Sequence, residues 1–179
     1  MKAFILLLSA AFFFSSQGFS QDNVVAFSAY YRDPGTGQFL TQNFPPGAVP
    51  IKIKYNMEEY DEMDNFKPGP YITPVGFSAL SEFTAPSSGI YHFEASISFF
   101  QSRFNNLVVG FCVNGRMRKA FSMSYQPLTR YYLLTGDTKL EKGDIVDVRL
   151  KHDGEVTIDS RAPALNNLSY NWFSGHKVN

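Results

Sequence analysis

The amino-acid sequence predicts an all-β fold, an antiparallel sandwich of two packed sheets. Aromatic residues make up 16% of the 179 residues, with 18 Phe and 10 Tyr, and such rings favour the pleated surface of a strand. Strand-like runs alternate with turn-forming residues along the chain, and no long stretch has helical periodicity. About nine or ten strands result, and that number in a chain of this size favours two packed sheets over one open sheet.

The length and the charge balance indicate one globular domain. Hydrophobic residues account for 44% and charged residues for 18% of the chain, which is typical of a folded protein. The 16 basic and 16 acidic side chains cancel. We therefore expect no overall electric field that would attract nucleic acid or an anionic membrane.

Residues 1–20 are predicted to be a signal peptide, with the domain spanning 21–179. Lys2 supplies a positive start, residues 3–14 form a nearly continuous apolar run, and Gly18-Phe19-Ser20 offers small residues for cleavage. The run is shorter than the roughly 20 residues that cross a bilayer. The sequence therefore predicts a secreted, extracellular protein without a membrane span.

The N-terminal half is predicted to hold two strands and one long loop. Val24–Tyr31 forms the first strand-like run. Ile51–Tyr55 alternates apolar and charged residues, as a strand with one solvent-exposed face does. Residues 56–82 are first acidic and then rich in proline, which disfavours a continuous strand or helix. We expect a surface loop there, inserted between strands.

The C-terminal half is predicted to be mostly strand. Asn114-Gly115 and Asp153-Gly154 are pairs that tolerate positive φ, so each predicts a tight hairpin. The apolar or alternating runs predicted as strands are 91–99, 107–113, 116–123, 129–135, 145–150, 155–158 and 170–178.

Four segments, in this order along the chain, resemble the globular domain of complement C1q. They are Ala26–Ala29, Phe83–Phe93 with its Phe-x-Ala-Pro turn and Tyr-x-Phe strand, Leu140–Val146, and Phe173–Gly175. The resemblance implies a ten-stranded antiparallel jelly roll of the C1q/tumour necrosis factor type, which forms a tight homotrimer through its inner sheets. The sequence lacks a Gly-X-Y repeat, so no collagen stalk is expected.

On the strand that follows Gly89, alternate residues are predicted to face opposite sides. Tyr91, Phe93, Ala95 and Ile97 would fill the sandwich. The intervening residues would face the neighbouring subunits of the trimer that the resemblance implies, or solvent in a monomer: His92, Glu94, Ser96 and Ser98.

A calcium site is predicted as one interpretation of the acidic segment. Its carboxylates suit a hard cation: Glu58, Glu59, Asp61, Glu62 and Asp64. The segment lacks the spaced ligands and glycine of a helix-loop-helix calcium site, so the favoured interpretation is a solvated acidic loop. Clustered Arg116, Arg118 and Lys119 are expected to protect an exposed strand from aggregation.

No catalytic or zinc-binding motif is found, and we expect a binding protein rather than an enzyme. His152 is expected to be solvated, and the lone Cys112 to be a buried, unreactive thiol. Asn167 begins a glycosylation sequon. No cofactor other than calcium is expected.

The predicted function is a secreted recognition module, a homotrimer whose loops bind an extracellular protein or glycan. The loop tips near Glu58–Asp64, Arg116 and Asp153 are the candidate contact points. One alternative is a cytokine-like ligand that binds its receptor in grooves between subunits. Others are a carbohydrate-binding jelly roll that uses rings such as Trp172, although burial of this ring is favoured, and a glycan-cleaving enzyme of the same architecture.

Overall fold

The computed structural model describes residues 24–32, 41–69, 80–99, 102–124, 131–159 and 171–178. These ranges contain thirteen strands and no helix. The strands are β1 (Ala26–Tyr30), β2 (Thr41–Phe44), β3 (Gly47–Lys52), β4 (Met57–Asp61), β5 (Phe66–Lys67), β6 (Glu82–Thr84), β7 (Gly89–Ser98), β8 (Asn106–Val113), β9 (Arg116–Ser124), β10 (Tyr131–Leu140), β11 (Ile145–His152), β12 (Val156–Asp159) and β13 (Trp172–Lys177).

The strands form two main sheets and one short pair. The five-stranded sheet has the order β10-β7-β13-β1-β4, and the six-stranded sheet has the order β5-β6-β11-β8-β9, with β3 added on β11. The third sheet contains only β12 and β2. All strand pairs are antiparallel, and the predicted all-β antiparallel sandwich is confirmed.

The core between the sheets is built on aromatic rings. Phe27 stacks on Phe66 and on Phe83, with ring centroids 5.0 Å apart in both pairs, and meets the edge of Phe173 at the same distance. Each of these side chains is at most 1% exposed. Offset and edge-to-face pairs of this kind add to the free energy gained by burying the rings.

The residues predicted to fill the sandwich do so. Tyr91, Phe93, Ala95 and Ile97 are all 0% exposed. Opposite Phe93, Gly175 leaves the space that the phenyl ring needs, since a Cβ there would lie 2.5 Å from Phe93 Cδ1. This is the close approach that a glycine inside a strand favours.

Two of the segments on which the resemblance rests lie against each other at one end of the sandwich. Ala85 donates its N–H to Asp144 at 2.9 Å and accepts from Gly143 at 2.8 Å. Ser88 donates its hydroxyl to Glu141 at 2.7 Å. The turn before β7 and the turn before β11 therefore form one hydrogen-bonded unit.

The Asn114-Gly115 hairpin is confirmed. Both residues have positive φ, 50° and 77°, the backbone conformation that a two-residue hairpin turn between twisted strands requires. The turn joins β8 to β9. Asn114 also accepts the N–H of Ile145 at 2.9 Å, which ties the hairpin to β11.

Two predictions in the N-terminal half are wrong in part. The interval 56–82 is not a continuous loop, because β4 and β5 form within it. The strand predicted over 51–55 instead spans Gly47–Lys52 and pairs with β11. Pro50 is tolerated there because the other edge of β3 has no strand partner among the described residues.

The second predicted hairpin is wrong. The chain turns at Asp153-Gly154, but β12 pairs with β2 rather than with β11. His152, expected in water, is 5% exposed, since the strand continues as far as this residue and its side chain points between the sheets. Its burial lowers the pKa of the imidazole.

Two sequence features fall outside the described residues: the predicted signal peptide 1–20 and the sequon at Asn167. Within the described ranges, no helix is long and apolar enough to cross a membrane.

Candidate subunit and partner interface

The candidate site is the face of the five-stranded sheet that is turned away from the core, here called the outward face. Because side chains alternate along a strand, every residue between two core residues belongs to it. The outward face comprises Ala26, Ser28 and Tyr30 of β1, Met57 and Tyr60 of β4, Ile90, His92, Glu94, Ser96 and Ser98 of β7, Tyr131, Leu133, Thr135, Asp137 and Lys139 of β10, and Trp172, Ser174 and His176 of β13.

An apolar row crosses one end of the outward face. The strand register places five residues side by side: Met57, Tyr30, Trp172, Ser96 and Leu133. Leu133 is 61% exposed, and so is Tyr131, two residues before it on β10. Tyr30, Met57 and Trp172 are partly exposed, and apolar side chains as exposed as Leu133 and Tyr131 are typical of a surface that contacts a partner.

A polar row crosses the other end of the outward face. The register aligns Asp137, His92 and His176. The Nδ1 of His92 lies 2.6 Å from Asp137 Oδ1, and its Nε2 lies 3.1 Å from Thr135 Oγ1 and 3.4 Å from Glu94 Oε1. The hydrogen bond to Asp137 is the largest cause of a raised His92 pKa, followed in the same direction by Glu94.

The three residues predicted at a subunit interface all lie on the outward face. His92 and Glu94 are half-buried and touch each other, whereas Ser96 is 6% exposed. Trp172, for which the sequence favoured burial, lies on the same face next to Ser96 and is partly covered. Their role in subunit contact stays a prediction.

The acidic residues lie on β4 and on the turn between β4 and β5. Asp61 accepts the N–H groups of Met63 and Phe66, and Asp64 pairs with Lys67 at 2.8 Å. Partial burial and the nearby carboxylates of Asp61 and Asp64 raise the pKa of Glu58.

Calcium binding by this segment stays a prediction. Glu59 accepts a hydrogen bond from Ser28, and Glu62 is exposed. Across the part of the chain that the structure describes, no three His, Cys, Asp or Glu side chains converge as a metal-binding group.

The other two predicted loop tips differ in role. Arg116 is exposed at the start of β9. Asp153 accepts the backbone N–H groups of Asn105 and Asn106, each at 2.9 Å. These bonds lower its pKa, so Asp153 has a structural contact in addition to any role in binding.

On the face of the six-stranded sheet that is turned away from the core, acidic and basic side chains pair with each other. Asp147 is 2% exposed, and both of its carboxylate oxygens accept from Arg149 at 2.7 Å. Lys52 lies 3.1 Å from Asp147 and 2.6 Å from Glu82. Beside this network, burial raises the pKa of Cys112 to about 11, which agrees with an unreactive thiol.

Sequence reasoning missed the exposed apolar side chains of β10. The predicted strand ended at Thr135, whereas β10 continues to Leu140. The signal was available in Tyr131-Tyr132-Leu133-Leu134, where both alternating sets of residues are apolar. A strand with two apolar faces is expected to be covered on both of them.

No protein-family model matches the sequence, and no curated protein matches it. Solved structures do match. The structure of Eiger TNF from S. frugiperda has 11% sequence identity, covers 88% of this chain and 94% of its own, and superposes with a TM-score of 0.55. The structure of murine APRIL has 10% identity, covers 87% of this chain and 99% of its own, and superposes with a TM-score of 0.51.

The chain therefore has the jelly-roll fold of the TNF/C1q-like class. Its five-stranded and six-stranded sheets form the antiparallel sandwich seen in these TNF structures. The sequence motifs resembled the C1q branch, and the reported structures belong to the TNF branch. At identities of 10–11% the likeness establishes the fold, and the C1q assignment remains a prediction.

Proposed function

We propose that the protein is an extracellular homotrimeric ligand that binds a protein receptor in the grooves between its subunits. The observations that support this most are Leu133 in the apolar row of the outward face and Tyr131 two residues before it on β10, each 61% exposed. Burial of one such side chain contributes about 1.5–3 kcal/mol. Repeated around a closed ring, these contributions favour association.

The fold supports the same proposal. Both reported structures share the sandwich architecture over nearly their whole length, and one of them is named a TNF. A binding role agrees with the site chemistry, because His92 contacts the carboxylates of Asp137 and Glu94 on the outward face of the sheet.

The test is the molar mass of the mature protein by light scattering, with and without a calcium chelator. We expect a trimer in both conditions. Dissociation of the trimer on chelation would show that a metal ion takes part in the assembly. A monomer in both conditions would contradict the proposal.

A carbohydrate-binding module is the second candidate, because Trp172 and Tyr131 place two aromatic rings on one exposed face. Rings so placed stack on sugars. Labelled protein bound to cells separates the two functions. Competition by free sugars would favour the carbohydrate module, and resistance to sugars with loss after protease treatment of the cells would favour a protein receptor.

A further inference from the structure

Two edges of the sandwich carry opposite charge. The edge strand β9 begins with Arg116, Arg118 and Lys119, all exposed. Within the described residues none of the three is recorded in an ion pair, whereas Lys52, Lys67 and Arg149 are.

The opposite edge is formed by β4 and the turn that follows it. Glu58, Glu59 and Glu62 are exposed there. The one ion pair recorded for this segment, in the part of the chain that is described, joins Asp64 to Lys67. Burial, and after it the charges of Asp61 and Asp64, raise the pKa of Glu58.

The two charged edges lie at the same height along the strands. A Cβ on Gly136 would lie 2.9 Å from Lys119 Nζ, so Lys119 covers this position of β10. From Gly136 the register runs through Phe93, Gly175 and Phe27 to Asp61 on the far edge. Lys119 and Asp61 therefore stand at the two ends of one row.

The remaining charges lie on both sides of this row. Glu62 donates its N–H to Ala26, and Ala26 lies in the row of His176, His92 and Asp137. Arg116 and Arg118 lead from Lys119 towards the Asn114-Gly115 turn, which is bound to Asp144 beyond the end of β10. Glu62, Arg116 and Arg118 thus lie on the side of this row that is away from the apolar row, whereas Glu58 is the neighbour of Met57 at the apolar row.

Symmetry brings such edges together. In a ring of identical copies the two sides of each contact are different patches of the chain. Rotation about an axis parallel to the strands preserves height, so in a ring with such an axis a patch meets only patches at its own height. Opposite charges placed in this way attract and also disfavour inverted arrangements.

Resting on the homotrimer proposed above, we infer that Arg116, Arg118 and Lys119 of each copy lie against the β4 edge of the next copy. The apolar row then supplies the buried area of the contact. The charged edges fix which edge meets which and align the copies in the same direction.

Charge reversal tests this inference without touching the core. Arg116→Glu with Arg118→Glu makes both edges acidic. We expect the association constant measured by dilution to fall about tenfold or more, with the loss growing as salt is lowered. The three-fold reversal, which adds Glu62→Lys, should form the trimer again but should not mix with labelled wild type.

The matched control reverses one base and one acid away from the two edges, Lys151→Glu with Glu155→Lys, and should keep the wild-type association constant. Circular dichroism checks that every variant is folded. An Arg116/Arg118 variant that assembles like wild type would overturn the inference while leaving the homotrimer intact, and so would a three-fold variant that stays dissociated. A monomeric wild type would reject the homotrimer itself and with it the paired edges.

Discussion

The two sheets differ in the faces that they turn away from the core. One face pairs its charged side chains with each other, and the other leaves apolar side chains exposed. On the six-stranded sheet, Asp147 is surrounded by Arg149 and Lys52, and Lys52 also pairs with Glu82. On the five-stranded sheet, Leu133 and Tyr131 remain exposed beside Trp172. A face whose charges are paired internally can remain in water, whereas exposed apolar side chains gain free energy only when another surface covers them.

The largest expected effect comes from placing a charge in the apolar row. Leu133→Asp should convert the trimer to a monomer, because association would bury a carboxylate that has no partner. Light scattering measures the mass. The matched control is Val108→Asp on the outward side of the six-stranded sheet, where the mass should not change. Equal masses for both variants and wild type would contradict the idea that only the five-stranded sheet uses its outward face for association.

The second effect belongs to the other sheet. Asp147→Asn leaves Arg149 and Lys52 without their shared carboxylate, and the free energy of unfolding should fall by about 3 kcal/mol, at the lower end for buried pairs since both cations are partly exposed. Urea unfolding measures this change. The exposed Glu155→Gln should alter stability by less than about 0.5 kcal/mol. A dissociated trimer in Asp147→Asn would show that this face also takes part in assembly.

The third effect concerns the core side of the five-stranded sheet. In Gly175→Ala, the new Cβ would lie 2.5 Å from Phe93 Cδ1 and 2.8 Å from Phe27 Cε1. Overpacking of this kind costs about 1–3 kcal/mol. Gly47→Ala is the control, since nothing lies within 4 Å of its Cβ position. Equal thermal unfolding midpoints for the two variants would refute the tight fit at Gly175.

The smallest effect is the titration of His92. Removing the Asp137 carboxylate in Asp137→Asn should lower the His92 pKa, which NMR of the imidazole measures. Because folding raises this pKa, the stabilisation is complete below the unfolded value of about 6.5 and is lost as pH rises through the folded value. The stability difference between wild type and variant should therefore shrink with rising pH. An unchanged His92 titration would reject the contact.

Local patterns were sufficient to predict much of the sandwich. The alternation after Gly89 predicted both the strand β7 and the side chains that fill the core. Asn114-Gly115 predicted the hairpin between β8 and β9. These features depend on residues close in sequence, whose periodicity and backbone preferences are visible without knowledge of any distant contact.

The predictions that failed depended on distant segments. Residues 56–82 have an unfavourable composition for strands, yet β4 forms because β1 offers it backbone hydrogen bonds. Propensity of this kind is weak and is overridden by pairing. Of the candidate site, the sequence indicated His92, Glu94 and Ser96 but not their alignment with Asp137, His176 and Trp172.

The sequence by itself determined that the chain forms a β-sandwich with an aromatic core, because period-two alternation and turn residues act locally. The tertiary structure alone decided that β12 pairs with β2, that His152 is buried, and that Leu133 joins Tyr30 and Trp172 in one row of the outward face. The physical reason is strand register. Register is set by hydrogen bonds between segments far apart in the chain, and a shift of one residue would place each side chain on the opposite face.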